Sequence, residues 1–348
     1  MRYVALLFYA ISLVATGLPL INSNQWWIRI FDFPRAQIAF LCLVSLLLFY
    51  FYVKLRWEFK APLGMLLAVA FFFQLHHILV YTPLYPVEAK DSNHVTDDNS
   101  FSLLVSNVRM ENEDRESFIT MVRKYEADIL LINEPDEIWA ESIKELDDDY
   151  PHSIKYPLSN TYGMMLLSKL PISEGKVNFL VKDDIPSIHC EILLPSGGKF
   201  DFYGVHPEPP KPGTDTYERD TELLIIGKKI KLENTPAIVA GDLNDVGWSG
   251  TSKLFRKYSE LLDPREGRGL YNTYSVFIPL LRYPLDHIFY SKEFGLTSLQ
   301  KLDDIGSDHY PILIKLTFEP EEDNANQLEK ASAKEKKRVE EEIREKKK

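Results

Sequence analysis

Cysteine is nearly absent: Cys42 and Cys190 are the only two in 348 residues. That excludes a disulfide framework and a cysteine-rich zinc module. The chain has no G-x-S-x-G elbow and no glycine-rich phosphate loop, so no serine-hydrolase nucleophile or phosphate cradle is written into it. No segment repeats at a fixed period, which sets aside solenoids and propellers. A surplus of positive charge is missing too, since 51 acidic against 40 basic residues leave a formal charge of −11. This counts against a protein that grips long nucleic acid by bulk electrostatics, because phosphate binding needs positive surface. With 45% hydrophobic residues the chain is neither collagen-like nor wholly disordered. Its length suits two or three units, or one large domain with attachments.

Long apolar runs are present, and they are concentrated at one end. Residues 1–90 hold seven basic and three acidic side chains, or +4, which leaves −15 on residues 91–348. Residues 3–21 and 36–53 carry no charge, and 61–81 carry no formal charge although they include Gln74, His76 and His77. A helix crossing ~30 Å of hydrocarbon needs about 20 apolar residues, so three transmembrane helices are expected. A signal peptide is the alternative for the first, but it lacks a clear small-x-small cleavage site and two more spans follow. Lys54, Arg56 and Lys60 crowd the short link between spans two and three. Positive loops stay in the cytoplasm, so everything after Tyr81 is expected outside it. Arg29 and Arg35 in the opposite loop weaken that bias. His76 and His77 could bind haem or a metal, but spans one and two offer no partner histidine, so they read as interfacial polar residues.

The remainder divides by composition. Residues 1–81 read as the membrane anchor and 82–100 as a polar linker able to span ~60 Å if extended. Residues 101–318 read as a soluble domain, and 319–348 as a charged tail with ten acidic and nine basic residues, compatible with a solvated helix held by i,i+4 pairs. Within the soluble domain, short apolar strands at 101–106, 128–132, 163–168, 237–240, 285–290 and 311–318 interleave with helical spacing at 114–127, 138–146, 215–232 and 254–262. Segments 188–194 and 199–205, joined by Pro195-Ser196-Gly197-Gly198, read as a hairpin. Mixed order with hairpins predicts a mixed sheet, or two sheets packed face to face with helices outside. It does not fit a TIM barrel.

Six of these strands run into or out of chemically capable side chains: Asn107, Asn133-Glu134, His206, Asp242 and Asn244, Asp286-His287, and Asp308-His309. Short polar residues cap strands and begin turns, which explains any one of them. Six together suggest convergence on one cleft. A hard cation takes oxygen ligands, available from Glu134, Asp308, Asn107 and Asp242. The imidazoles of His206 and His309 can stabilise an oxyanion or move a proton. With no hydroxyl or thiol nucleophile in evidence, the set suits metal-assisted attack of water on phosphorus.

The segments LLVSNVRMEN, ADILLINEPDE, YGMMLLSKLPI, FYGVHPEPP, AIVAGDLND, PLDHIFYS and GSDHYPI resemble, in order, the motif series of the endonuclease/exonuclease/phosphatase superfamily. This superfamily holds DNase I-like nucleases, apurinic endonucleases, inositol phosphatases and neutral sphingomyelinases. The likeness covers about residues 100–318, and hydrophobic helices before the domain resemble the bacterial membrane-anchored branch. It implies an α/β fold, a four-layer α/β sandwich of two mixed sheets flanked by helices, preceded here by the three transmembrane helices, with a Mg²⁺ or Mn²⁺ site. By position it implies Glu134 as main metal ligand with Asn107 beside it, and Asp308 as a second metal-side carboxylate. Asp242 matches the residue that orients or deprotonates the attacking water, and Asn244 the amide holding a phosphate oxygen and Asp242. His309 matches the imidazole at the scissile phosphate, Asp286 its orienting carboxylate, and His206 the second imidazole.

Other positions are less specific. Asn133 stands where the family often has Gln. Asn112 reads as a helix cap. Arg219 resembles an arginine of the anchored branch, with substrate phosphate and a surface ion pair as equal alternatives. His287 should point away from Asp286's face and pack in the core, and His189 reads as structural. Tyr274 and Trp248 could wall a cleft, yet aromatics more often fill cores. The expected activity is a membrane-anchored, divalent-metal-dependent phosphoesterase. Its substrate is a lipid, a small phosphoester or nucleic acid, and its partners are the bilayer and an unidentified partner for the tail. The rival expectation is a non-catalytic membrane-anchored module on a relic hydrolase scaffold.

Overall fold

A computed structural model describes residues 1–326 and 329–346. The chain divides into two compact units. The first comprises Met1–Pro86 with Pro210–Thr216 and Gly267–Gly269; the second comprises the other described residues.

Helices α1 (Arg2–Gly17), α2 (Trp26–Arg29), α3 (Arg35–Tyr52) and α4 (Trp57–Leu79) build the first unit. Three stretches, Arg2–Leu20, Arg35–Tyr52 and Trp57–Leu79, are long and apolar enough to cross a membrane. Ala15, Ile38, Cys42 and Ala70 pack between them. One polar chain threads the three. Arg35 Nη2 donates to Asp32 Oδ1 at 2.8 Å and Arg35 Nη1 to Gln74 Oε1 at 3.2 Å, and Gln74 Nε2 reaches Thr16 Oγ1 at 3.1 Å. Such bonds hold apolar helices together where the hydrophobic effect gives no preference for neighbour over lipid. His77 Nδ1 bonds the Phe73 carbonyl of its own helix at 2.9 Å.

The second unit is a four-layer sandwich. Its strands are β1 (Ser100–Asn107), β2 (Ile129–Asn133), β3 (His152–Tyr156), β4 (Met164–Ser168), β5 (Ile172–Asn178), β6 (Ser187–Leu193), β7 (Lys199–Gly204), β8 (Ala237–Asp242), β9 (Asp286–Tyr290), β10 (Phe294–Lys301) and β11 (Ile312–Phe318). They form a six-stranded sheet, β10-β11-β1-β2-β4-β3, and a five-stranded sheet, β5-β6-β7-β8-β9. The two-residue alternation of strands sorts the side chains. Leu103, Val105, Leu131 and Leu166 of one sheet meet Cys190, Phe202, Ile238 and Ile288 of the other in the central core. Leu104, Leu130 and Ile132 face outward onto Phe118, Val122, Trp139 and Ile143. Those four lie on or beside α5 (Arg115–Tyr125) and α6 (Glu137–Ser142). On the far side Tyr203, Val239 and Phe289 pack against Leu223, Ile226 and Phe255. These belong to α7 (Tyr217–Glu233) and α8 (Gly250–Ser259). The expected fold class is therefore the observed one, and the β6–β7 hairpin is present. Strands β3, β5 and β10 were not legible: they are edge or next-to-edge segments whose exposed faces erase the apolar run.

The segment read as a polar linker and the tail read as solvated both make buried contacts. Of the linker, Glu88 is buried with Arg256 and accepts from the Asp263 N–H at 2.7 Å. Lys90 N donates to Asn324 O at 2.8 Å. The tail forms α9 (Ala333–Lys346), which lays Val339 and Ile343 on Leu224 and Leu254. Two apolar residues four apart are a small signal in a charged sequence, but on a helix they share one face.

Candidate active site

Strand direction explains the clustering. β1 runs parallel to β2, and β7 parallel to β8, so their C-terminal ends share an edge. β11 is antiparallel to β1 and β9 to β8, so the segments entering them return to that same edge. Asp242 and Asp286 are direct cross-strand partners. Ser307 Oγ donates to Asn107 O at 2.7 Å, which brings the Ser307-Asp308-His309 segment to the end of β1. At Gly241 φ is +138°, and a Cβ would run into the Val205 carbonyl. Only glycine lets β8 approach the end of β7 so closely.

Oxygen and nitrogen atoms of Glu134, His206 and Asp242 lie within 4.8 Å of one another, and so do those of Asp242, Asp286 and His309. Asp242 joins the two clusters. Its Oδ2 lies 3.7 Å from His206 Nε2 and 3.4 Å from His309 Nε2. Glu134 Oε1 lies 3.8 Å from His206 Nε2. His309 Nδ1 meets Asp286 Oδ2 at 2.7 Å. Asn107 Nδ2 donates to Glu134 Oε1 at 2.8 Å and to Asp242 Oδ2 at 3.2 Å. Glu134 and Asn244 have left-handed backbones, with φ +64° and +49°, a strain that accumulates at functional sites.

Burial raises Glu134 to about 7, against a hydrogen bond from Asn107. Burial also raises Asp242 to about 7, opposed by the charge of His309 and reinforced by that of Asp286. For His309 burial opposes the charged form, but the carboxylates of Asp286 and Asp242 prevail and lift it to about 10. His206 falls to about 3 through burial and then the His309 charge. Burial pushes Asp286 upward, yet the charge and hydrogen bond of His309 hold it below its ordinary value. One imidazole is therefore cationic and the other neutral.

The donor set fits a hard divalent cation: Glu134 and Asp242 are desolvated carboxylates that share the Asn107 amide, and among the described residues neither is paired with a lysine or arginine. Glu134 is the carboxylate that would hold it. Asn107 behaves differently. Its Oδ1 accepts from Arg109 N at 2.9 Å, so its amide turns N–H, not oxygen, toward the carboxylates and positions them. Asp308 stands outside both clusters, although its charge acts on Glu134 and His309. Asn244 grips Asp242 through its main chain, N to Oδ1 at 2.9 Å, while its Nδ2 donates to Pro207 O at 2.9 Å. Asn133 Oδ1 accepts from Asp242 N at 3.3 Å, so the residue replacing the family's Gln ties the end of β2 to the end of β8 in the facing sheet.

Several other expectations change. Arg219 is 1% exposed: it neither faces substrate nor forms a surface pair. It holds Asp220 Oδ1 with Nε and Nη2 at 3.0 and 2.8 Å, and donates Nη1 to Asn244 O at 2.7 Å. Asn112 is not the cap of α5; Asp114 is, accepting from Ser117 N at 3.1 Å. Asn112 instead donates Nδ2 to Ile305 O at 2.9 Å. Trp248 is buried, whereas Tyr274 packs on His309 with ring centroids 5.0 Å apart. His287 points away from the site, as alternation requires, and His189 stacks on Tyr203. Sequence reasoning missed Arg265. Its Nη2 lies 2.6 Å from His287 Nδ1, and His287 Nε2 lies 2.9 Å from Asp245 O. No motif marks it, because it acts from behind the Asp242–Asp245 turn.

Residues 104–309 match the model of the Endonuclease/Exonuclease/phosphatase family. The chain belongs to this family. No curated protein matches the sequence. Three solved structures show the likeness in fold. An endonuclease/exonuclease/phosphatase family protein from Bacteroides thetaiotaomicron is 19% identical, with a TM-score of 0.52 over 66% of this chain and 98% of that one. D. rerio TDP2 complexed with single strand DNA product is 18% identical, with a TM-score of 0.53 over 63% of this chain and 100% of that one. The human Nocturnin catalytic domain with bound sulfate anion is 18% identical, with a TM-score of 0.52 over 63% and 94%. Endonuclease/exonuclease/phosphatase proteins generally use divalent metals.

Proposed function

We propose that this protein is a membrane-anchored, divalent-metal-dependent phosphoesterase that hydrolyses a phosphoester by direct attack of water. One observation carries the reading: Asp242 lies within 4 Å of both the His206 and the His309 imidazole while Asn107 links it to Glu134. Glu134, with Asp308 near it, would hold Mg²⁺ or Mn²⁺. The ion, when bound, supplies a Lewis acid that neutralises phosphoryl charge. Asp242, raised to about 7, orients the attacking water and accepts its proton. His309, kept cationic by Asp286, offers Nε2–H to a phosphoryl oxygen. His206 remains neutral and donates or accepts without adding charge.

Residues 1–81 act as the anchor, and the catalytic domain lies on the side opposite the Lys54–Lys60 link, outside the cytoplasm. The charge of −15 beyond residue 90 favours a lipid or small phosphodiester over duplex nucleic acid, which needs a basic groove. The single-stranded DNA in the TDP2 complex keeps nucleic acid in the comparison. Assaying a phospholipid, a soluble phosphodiester and single-stranded DNA side by side with Mg²⁺ tests the reading. Hydrolysis of at least one, lost in Glu134→Ala and His309→Ala, is expected. Full activity in both variants would move the chemistry elsewhere, and a chain inert toward all three would leave the non-catalytic module.

A further inference from the structure

Outside the helical unit, apolar side chains should be covered, and runs of three or four exposed ones need a functional reason. Phe277, Ile278, Pro279, Leu280 and Leu281 are five exposed in a row. Phe277 is 55% exposed and Leu280 79%. The second unit has no other such run among the described residues. The loop is also well built. Tyr274 pairs with Tyr283, and Ser275 N donates to Leu281 O at 3.2 Å. Arg282 spans the base, giving Nε to Ser275 O and Nη2 to Val276 O, each at 3.1 Å. Residues 279–281 form a short 3₁₀ turn. A firm base thus holds an apolar tip in water.

The base abuts the active site. Val276 N donates to Asp308 O at 2.9 Å, and Tyr274 both packs on and bridges to His309. Around it stand cations in an otherwise acidic unit. The Arg109 guanidinium lies 5.6 Å from the Phe277 ring centre, Arg282 Nη2 is 3.0 Å from Tyr310 Oη, and Lys301 lies over that tyrosine ring at 3.8 Å. One acid, Glu111, reaches Arg109 at 3.6 Å. An apolar tip with a basic collar complements a bilayer interface, where acyl chains lie beneath anionic phosphates. The three candidate spans of the same chain keep such a surface within reach.

We propose that loop 276–282 docks into the membrane interface and delivers the headgroup phosphodiester of a bilayer lipid to the Asp242–His309 site. The substrate assignment rests on the phosphoesterase reading; the docking does not. The tip enters the headgroup region, Arg109, Arg282 and Lys301 meet phosphates, and Tyr274 forms the wall between the bilayer and His309.

The test uses the full chain in nanodiscs of phosphatidylcholine and phosphatidylglycerol containing a doxyl-labelled lipid. Both native cysteines are buried, so a fluorophore can be directed to Ile278→Cys, with the 74% exposed Leu232→Cys as reference. Quenching at 278 and not at 232 is expected. Activity is read on two probes with one leaving group, phosphatidyl-p-nitrophenol in the nanodisc and soluble bis(p-nitrophenyl) phosphate. Ile278→Asp/Leu280→Asp is expected to lose activity on the lipid on the order of tenfold, the effect of removing burial of an apolar side chain, and to keep it on the soluble probe. Equal or absent quenching at 278, or parallel loss on both probes, would overturn the proposal. If wild type cleaves neither probe while 278 is quenched, docking stands and the phosphoesterase reading fails. If it cleaves both while 278 stays unquenched, only docking fails.

Discussion

His309 Nδ1 and Asp286 Oδ2 lie 2.7 Å apart, both buried. The pair joins the loop before β11 in one sheet to the first residue of β9 in the other. It keeps the imidazole charged and aims Nε2 at Asp242. Asp286→Asn keeps the shape and removes the charge. Its kcat on a soluble phosphodiester should fall on the order of 10²–10⁴, the usual contribution of a positioned acid or base, with KM nearly unchanged. An undiminished kcat would place the pair outside the chemistry.

Glu134→Gln separates metal binding from stability. The desolvated carboxylate, raised from 4.5 to about 7, costs up to about 3 kcal/mol at pH 8 without an ion. The metal-free variant should therefore melt higher than metal-free wild type. It should also lose the rise in Tm that Mg²⁺ or Mn²⁺ gives the wild type, while chelation should abolish wild-type hydrolysis. A variant that gains as much Tm from metal as wild type would exclude Glu134 as ligand.

Arg219 tests the support behind the turn. It holds Asn244 O, and Asn244 N holds Asp242. Arg219→Met should destabilise by about 3–5 kcal/mol, the cost of removing one member of a buried ion pair, and should lower kcat. Arg219→Lys should not restore either, because a lysine lacks the fork that serves Asp220 and the carbonyl together. Melting curves and steady-state kinetics on the detergent-solubilised chain read both effects.

Buried His287 sets an acid dependence of stability. Burial, and then Arg265, lowers it from 6.5 to about 3. Between those values the unfolded chain binds a proton that the folded chain refuses, so stability declines as pH falls from 6.5 toward 3. The slope is about 1.4 kcal/mol per pH unit. His287→Gln removes that proton from both states. Its Tm should depend less steeply on pH over this window, and an identical slope would refute the assignment.

Val339 is fully buried against Leu224 and Leu254 in a segment that composition marks as solvated. Val339→Asp places an unpaired carboxylate there and should lower Tm measurably, by the ~2 kcal/mol or more that an uncompensated buried polar group costs. An unaltered Tm would mean that α9 contributes no docking energy.

The motif residues were legible because each stands at the end of an apolar run, where the change from apolar to polar is abrupt. Glu134, Asp242 and His309 could be picked out this way. The orientation of the Asn107 amide could not, because it depends on the N–H of Arg109. Arg265 and the burial of Arg219 were hidden for a similar reason: both guanidinium groups are buried, and burial of a charged side chain depends on the layers packed over it, which leave no mark in the local pattern. The embedding of Glu88 and of α9 was missed because one ion pair or two apolar side chains vanish in a polar average.

Sequence alone determined the three apolar helices, the layered α/β class and the identity of the groups at the strand ends. These follow from local period and residue chemistry, which need no knowledge of neighbours. The tertiary structure decided which imidazole is charged, which amide turns its nitrogen inward and which apolar loop is left uncovered by the fold. Each of those depends on burial and on partners brought together from distant parts of the chain, and desolvation acts only once they have met.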